Sequence, residues 1–227
     1  MTGAMAMGAL ALSGCSTTER TRLAASPTAI TPTRSSIPPL TAEQLKALAF
    51  TESDVPQAHS VPVQHPAPQQ VPGNPPLSDA SCQRLYDVIN AKHASASVFQ
   101  IFNWKENVMG GDSRIASYEG TKAQEAFRQL QKALKTCKTF TGSGYTGKFT
   151  ATITVEKAPD LGDEALSFHL TMPLTDGYGL RDEHHVFIRT GTITASFQEL
   201  TVGRKAQFPL DLIQKQIDRL RSAQRGS

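Results

Sequence analysis

The sequence has little net charge, no long apolar run and only three cysteines. Its 23 basic and 20 acidic side chains leave a net charge of +3 over 227 residues, so the composition gives no indication of a nucleic-acid partner. The apolar run at residues 5–11 is much shorter than the roughly 20 residues that a membrane-spanning helix needs. We therefore expect the chain to be anchored at a membrane surface and not threaded through the bilayer.

No lysine or arginine precedes Cys15, although the segment before it otherwise has the character of an export signal. The apolar run ends in Leu12-Ser13-Gly14-Cys15, which resembles the lipobox of bacterial lipoproteins, where the cysteine is diacylated and the preceding segment is removed. The resemblance implies a lipoprotein signal peptide at residues 1–15 and a lipid anchor on Cys15 that holds the protein at the extracellular side of the cell membrane. The alternative is an ordinary secretory signal with a chance cysteine.

Proline is scarce beyond residue 76. Eleven of the 14 prolines lie between residues 16 and 76. Residues 16–38 are rich in Ser, Thr and Pro with little apolar material, which predicts a disordered tether. Thr41 and Gln44 have the spacing of a capping box and predict a short helix beginning at Ala42. We expect the folded domain to span residues 39–227, with its compact core at residues 77–225.

Two cysteines, Cys82 and Cys137, remain after Cys15 is assigned to lipid. In an exported protein such a pair favours a disulfide over two free thiols, which are the alternative. Both cysteines fall on the apolar stripes of predicted helices, so one bond would join two helices. Closing this loop is worth about 4 kcal/mol in the chain-entropy model.

The hydrophobic period changes from helical to alternating after Gly144. Phe149, Ala151 and Ile153 alternate with threonines, and three later segments show a similar pattern, which is typical of antiparallel strands with one buried face. Two helices come before this run of strands and one amphipathic helix follows it. The sequence therefore predicts an α+β fold in which helices pack on one face of an antiparallel sheet, with one disulfide.

Two short motifs suggest a hydrolase. Gly111-Asp112-Ser113 is similar to the nucleophile motif of one esterase class, and His185 follows Asp182 at a spacing that such enzymes use. That enzyme fold alternates strands with helices, whereas this chain has consecutive strands. We therefore predict no catalytic activity and keep an esterase-like hydrolase using Ser113 and His185 as the alternative.

Adjacent histidines at positions 184 and 185 raise the question of a metal site. Neighbouring residues of a strand point to opposite faces, so His184 and His185 cannot readily share one ion. The sequence consequently predicts no metal site and no cofactor.

One face of the predicted sheet carries hydroxyls, imidazoles and a guanidinium. Alternation assigns His169, His185 and Arg189 to this face, where they are suited to a carboxylate, phosphate or sugar-acid group. Trp104 is a further candidate for this ligand-binding site. The alternatives are a plain solvated sheet surface and a tryptophan that only fills the core.

Several short motifs follow one another in a characteristic order. They are Leu-Thr-Ala-Glu-Gln-Leu at residues 40–45, Asp-Val-Pro at residues 54–56, the helix with Cys82, Ala-Leu-Lys-Thr-Cys-Lys-Thr-Phe at residues 133–140, Leu-Gly-Asp-Glu-Ala at residues 161–165 and Ile-Arg-Thr-Gly at residues 188–191. Together they resemble the extracellular sensor domain of actinobacterial lipoproteins and of mycobacterial PknH-type kinases. The resemblance implies a compact domain with a cleft for an extracellular ligand and no established catalytic residues.

The combined prediction is a lipid-anchored, cell-surface, sensor-like domain that performs no chemistry. Its expected partners are the membrane, through the lipid, and an extracellular small molecule or envelope protein. A purely structural envelope lipoprotein is the second alternative, beside the hydrolase.

Overall fold

The computed structural model describes residues 38–64, 77–144, 147–174, 177 and 179–225. The predicted signal peptide, Cys15 and nearly all of the predicted tether lie outside the described residues. Within those ranges, no helix is both long and apolar enough to cross a membrane.

The described residues form an antiparallel sheet with four α-helices, which confirms the predicted α+β class. The elements are α1 Ala42–Leu48, β1 Ala58–Ser60, β2 Val63–Gln64, α2 Ala80–Ile89, β3 Ala96–Trp104, β4 Gly111–Ser117, α3 Lys122–Thr136, β5 Thr139–Gly144, β6 Gly147–Glu156, β7 Glu164–Pro173, β8 Leu180–Thr190, β9 Ile193–Val202 and α4 Leu210–Arg225. The strands lie in the order β1-β3-β4-β9-β8-β7-β6-β5, and β2 pairs beside β1 on β3. Strands β8 and β9 therefore occupy the centre of the sheet.

Helices cover both faces of the sheet, whereas the sequence predicted helices on one face only. Phe187 of β8 packs with Phe127 of α3 at 6.3 Å between ring centroids, on what we call the α2–α3 face. Its neighbours Val186 and Ile188 pack instead into a second core, which contains α1 and α4 side chains, on what we call the α4 face. Two cores leave seven successive residues of β8 buried, because a strand covered on both sides has no solvated face.

The segment before residue 65 completes the α4 face. Helix α1 begins with the predicted capping box of Thr41 and Gln44, and its Leu45 is fully buried. Asp54 then binds Arg219 of α4 at 2.5 Å and Lys215 at 2.8 Å. The Arg219 guanidinium is the main reason that the pKa of Asp54 lies far below its ordinary value of 3.8.

The α2–α3 face is closed by the predicted disulfide. Cys82 of α2 and Cys137, directly after α3, are bonded with their Cα atoms 5.0 Å apart. Both residues are fully buried. The expectation drawn from the two apolar stripes is therefore confirmed, and the bond joins the two helices that cover this face.

Candidate functional site

The four predicted ligand-binding residues do not form one site. His169 of β7 stands opposite His184 of β8, whereas His185 stands opposite Phe168. His169 therefore lies on the α4 face, and His185 and Arg189 lie on the α2–α3 face. The prediction that these three side chains share a solvated face is wrong, because β8 is buried on both sides and its sequence carries no alternation that marks the faces.

Arg189 is held by two carboxylates at one end of the β7–β8 pair. Its Nε donates to Glu164 at 2.6 Å, and its Nη1 donates to Asp163 at 2.9 Å. The same Asp163 carboxylate accepts the backbone N–H of Gly191 at 2.7 Å. The guanidinium thus fastens the β8–β9 turn to the start of β7, and its charge is already balanced.

Trp104 fills the core of the α4 face, which is the reading that the sequence left as an alternative. Its ring stacks on Phe102 at 5.0 Å and meets Phe208 edge-on at 5.7 Å between centroids. Its indole N–H donates to Glu199 at 2.5 Å. Burial raises the pKa of Glu199, while the bonds from Asn107 and Trp104 oppose that rise.

The structure does not assemble the hydrolase pair. Ser113 is paired with Phe197, and His185 is paired with the adjacent residue, Gln198. Successive residues of a strand point to opposite faces, so Ser113 and His185 lie on opposite sides of the sheet. Both are buried. His185 therefore cannot take a proton from the Ser113 hydroxyl in this fold.

On the α2–α3 face, Arg181, Glu183 and His185 form what we call the His185 cluster. Glu183 accepts from Arg181 Nε at 2.7 Å and lies 3.3 Å from His185 Nε2. Burial alone would raise the pKa of Glu183, but the bond from His185 and the Arg181 charge outweigh burial and lower it. Nearby, burial raises the pKa of Asp112 to about 7.

On the α4 face, Glu156, His169, Asp182 and His184 form the His169 cluster. Glu156 Oε1 lies 3.0 Å from His184 Nε2, and its Oε2 lies 3.3 Å from His169 Nε2. His169 Nδ1 lies 2.6 Å from Asp182 Oδ1. The two imidazoles stack with their centroids 4.9 Å apart. Two buried imidazoles therefore converge on one half-buried carboxylate, and the buried Asp182 lies behind one of them.

Residues 203–209, which connect β9 to α4, contact the His169 cluster. The ammonium of Lys205 binds Glu156 Oε2 at 2.9 Å, and the backbone N–H of Phe208 donates to His184 Nδ1 at 3.1 Å. Burial would raise the pKa of Glu156, but the bonds from Lys205 and Ser167 and the two imidazoles lower it to about 2. Burial lowers the pKa of His184 to about 4, so this ring is neutral at pH 7.

These contacts fix the tautomers of both rings. An ionised carboxylate only accepts hydrogen bonds, so His169 Nδ1 carries a proton and donates to Asp182. A backbone amide only donates, so His184 Nδ1 is unprotonated and the proton of the neutral ring is on Nε2. His184 Nε2 then donates to Ser167 Oγ at 3.0 Å, and the Ser167 hydroxyl donates to Glu156 Oε1 at 3.0 Å. Glu156 Oε1 itself lies 3.0 Å from His184 Nε2.

One nitrogen of the cluster has no hydrogen-bond partner in the described part of the chain. His169 is only 5% exposed, and among the described residues its Nε2 has no hydrogen-bond partner of acceptable geometry. This nitrogen faces Glu156 Oε2 at 3.3 Å. A buried polar atom without a partner costs roughly 1–3 kcal/mol. The atom therefore marks a position where an additional group would stabilise the fold.

Sequence reasoning found His169 but missed Glu156 and His184. His184 and His185 do face opposite sides of the sheet, but the residues grouped with His184 lie on the neighbouring strands β6 and β7. Within the described ranges, Glu156, His169 and His184 are the one group of at least three candidate ligands whose atoms lie within 4.8 Å of one another. Glu156 continues the threonine alternation of β6 by one step, and that periodicity was the available signal.

Two cavities open elsewhere on the described surface. One of about 450 Å³ lies beside the β5–β6 pair and is lined by residues that include Ser78, Lys148 and Phe149. One of about 230 Å³ lies between α2 and α3, with Lys92 and Tyr118 in its lining. His169, His185, Arg189 and Trp104 line neither of them.

Comparison with known proteins identifies the fold. The structure is similar to the extracellular domain of PknH from Mycobacterium tuberculosis, with a TM-score of 0.57 and 13% sequence identity, over 84% of this chain and 99% of that one. No protein-family model and no curated protein matches the sequence. At this identity the likeness shows a PknH-like fold, as the ordered motifs indicated. The lipoprotein assignment and the actinobacterial origin stay predictions.

Proposed function

We propose that the chain is a lipid-anchored, extracellular, sensor-like domain that binds a ligand at the His169 cluster and performs no catalysis. The observation that carries this proposal is the unpartnered His169 Nε2 inside a buried group of ionisable side chains. A fold shared with the extracellular domain of a kinase supports the location. Of the predicted ligand-binding residues, the proposal retains His169 and gives Arg189 and Trp104 structural roles.

The covering segment supports a sensing role. Residues 203–209 contact the cluster through Lys205 and Phe208 and continue directly into α4. A ligand that meets Glu156 and His184 competes with both contacts, so it changes the free energy of this segment. Differential contacts of that kind are what a ligand needs to shift a conformational equilibrium.

A native mass spectrum of the protein purified from its own host tests ligand binding. We expect a non-covalent mass on the parent chain that is absent from His169→Gln. The matched control is His93→Gln, which replaces an exposed histidine and should retain the mass. A parent chain that carries no additional mass, in samples from several growth conditions, would contradict the proposal and favour a structural envelope protein.

Membrane fractionation tests the anchor separately. Cys15→Ser should release the protein from the membrane fraction into the soluble fraction, since the acylated side chain is lost. Cys82→Ala with Cys137→Ala is the control, because these cysteines are bonded to each other and should not affect partition. A Cys15→Ser variant that remains in the membrane fraction would overturn the lipoprotein assignment.

A further inference from the structure

We propose that Glu156, His169 and His184 form a binding site for a divalent transition-metal ion of the zinc class. The inference rests on the proposed function and names the ligand of the same site. Two imidazoles and one carboxylate form a ligand set that suits zinc and its neighbours in the first transition row, in contrast to Mg²⁺ or Ca²⁺, which prefer oxygen.

The geometry is within reach of such an ion. Ligand atoms bound at about 2.1 Å to a tetrahedral ion lie roughly 3.4 Å apart. Glu156 already lies 3.0 Å from His184 Nε2 and 3.3 Å from His169 Nε2, and all three ligand atoms fall within 4.8 Å. The two imidazoles are stacked with an interplanar angle of 25°, so they must tilt for both Nε2 atoms to meet one ion.

His169 is already prepared as a ligand. Asp182 accepts the proton of Nδ1 at 2.6 Å, which places the lone pair on Nε2, the atom that has no hydrogen-bond partner in the described part of the chain. A carboxylate behind a metal-bound imidazole fixes the ring and raises its basicity, and removing such a partner typically weakens metal binding about 10- to 100-fold.

Three existing contacts must change when the ion binds, and the first is the bond between His184 Nε2 and Ser167 Oγ. Lys205 shares Glu156 Oε2, and a cation at that carboxylate repels the ammonium. His184 must present a lone pair on Nε2, so its proton moves from Nε2 to Nδ1, and Nδ1 can then no longer accept the Phe208 N–H. Metal binding therefore displaces residues 203–209 at two points, with no net proton released by the neutral ring.

Trp104 provides the readout of that displacement. It is the only tryptophan, and its ring lies 5.7 Å from that of Phe208. We would titrate tag-free full-length protein with Zn²⁺, following heat by calorimetry and indole fluorescence in parallel. We expect one site per chain with micromolar or tighter affinity, and a fluorescence change that saturates at the same Zn²⁺ concentration. Mg²⁺ should give neither signal.

Variants locate the site. His169→Gln and Glu156→Gln should weaken Zn²⁺ binding at least about 10-fold, and Asp182→Asn about 10- to 100-fold. Glu156 is 31% exposed in its side chain, so its variant keeps the test valid if the His169 variant does not fold. Lys205→Ala removes a competing cation from an exposed position and should tighten binding roughly two- to fivefold. Lys205→Arg should leave the affinity near that of the parent.

The exposed histidines His59 and His93 supply the control for adventitious zinc. Their double replacement by Gln should leave both signals unchanged. Loss of binding in that variant, unchanged binding in Glu156→Gln, or weaker binding in Lys205→Ala would each overturn the metal site. If Zn²⁺ fails while the host-purified protein carries an organic mass that depends on His169, the metal inference is wrong and the proposed function stands. If no mass of either kind is found, both are wrong.

Discussion

The two faces of the β7–β8 pair treat neighbouring histidines in opposite ways. On the α2–α3 face, His185 meets Glu183, which also holds Arg181, so acid and base balance within the His185 cluster. On the α4 face, His169 gives one nitrogen to Asp182 and keeps the other unpartnered among the described residues. One cluster is complete without a ligand, and the other has a place for one.

The segments that cover these two faces are also held in different ways. Helices α2 and α3 are joined by a covalent bond between Cys82 and Cys137. The segment before residue 65 packs buried apolar side chains such as Leu45 into one core with α4 and is also held by the ion pairs of Asp54. Residues 203–209 contact the His169 cluster through Lys205 and Phe208. Ion pairs of this kind respond to pH, salt and competing ions. We therefore expect the disulfide to matter most for stability and the His169 cluster to be the part that responds to a ligand.

The largest expected effect comes from opening the covalent cover. Cys82→Ala with Cys137→Ala should lower the free energy of unfolding by about 4 kcal/mol, since the unfolded chain regains the entropy of a long loop. Denaturant unfolding measures this loss. Zn²⁺ affinity should stay near that of the parent under conditions where the variant is folded. A double variant with parental stability would show that the bond does not hold the α2–α3 face.

Exchanging one acid on each face compares the clusters directly. Glu183→Gln leaves Arg181 and His185 without their carboxylate and should cost about 1–3 kcal/mol, since a buried acceptor of charge-assisted hydrogen bonds is lost while the Arg181 side chain is 36% exposed. Glu156→Gln removes a half-buried acid whose partner Lys205 is largely exposed, and should cost about 1 kcal/mol or less. Equal losses in thermal unfolding would contradict the distinction between a structural and a ligand-binding cluster.

The Asp54 anchor should make the α4 side sensitive to acid. Because the pKa of Asp54 is depressed in the fold, its contribution is complete above the unfolded value and declines as the pH falls below it. Asp54→Asn should cost about 1–2 kcal/mol at neutral pH, as expected for a charge-assisted bond. The difference in free energy of unfolding between the parent and Asp54→Asn should narrow as the pH falls from about 5 to about 2. A gap that stays constant across that range, in unfolding measured at each pH, would rule out this linkage.

Local patterns predicted most of the elements but not their faces. The capping box at Thr41, the stripes that carry Cys82 and Cys137, and the alternation of β6 and β7 each have a cause within a few residues of the chain. Whether His185 points with His169 or away from it depends on the register between β7 and β8, which only the pairing of distant residues sets. Because β8 is buried on both faces, its own sequence gave no guide.

The candidate site was predictable in part for the same reason. His169 was identified because β7 alternates, and Glu156 lies one step beyond the threonines of β6 on the same face. His184 was set aside as a neighbour of His185, although its real partner is across the strand pair. The covering contacts from Lys205 and Phe208 come from a segment with no periodicity at all, so no pattern could have placed them there.

The most direct test of the central claim is the long-range proton–nitrogen NMR spectrum of the histidine rings, recorded on nitrogen-15-labelled protein without and with one equivalent of Zn²⁺. The structure predicts that without zinc His169 is protonated on Nδ1 and His184 on Nε2. With zinc, the Nε2 signals of both should move to metal-bound positions while His185 stays unchanged. A spectrum in which His185 or the exposed His93 responds and His169 does not would contradict the account.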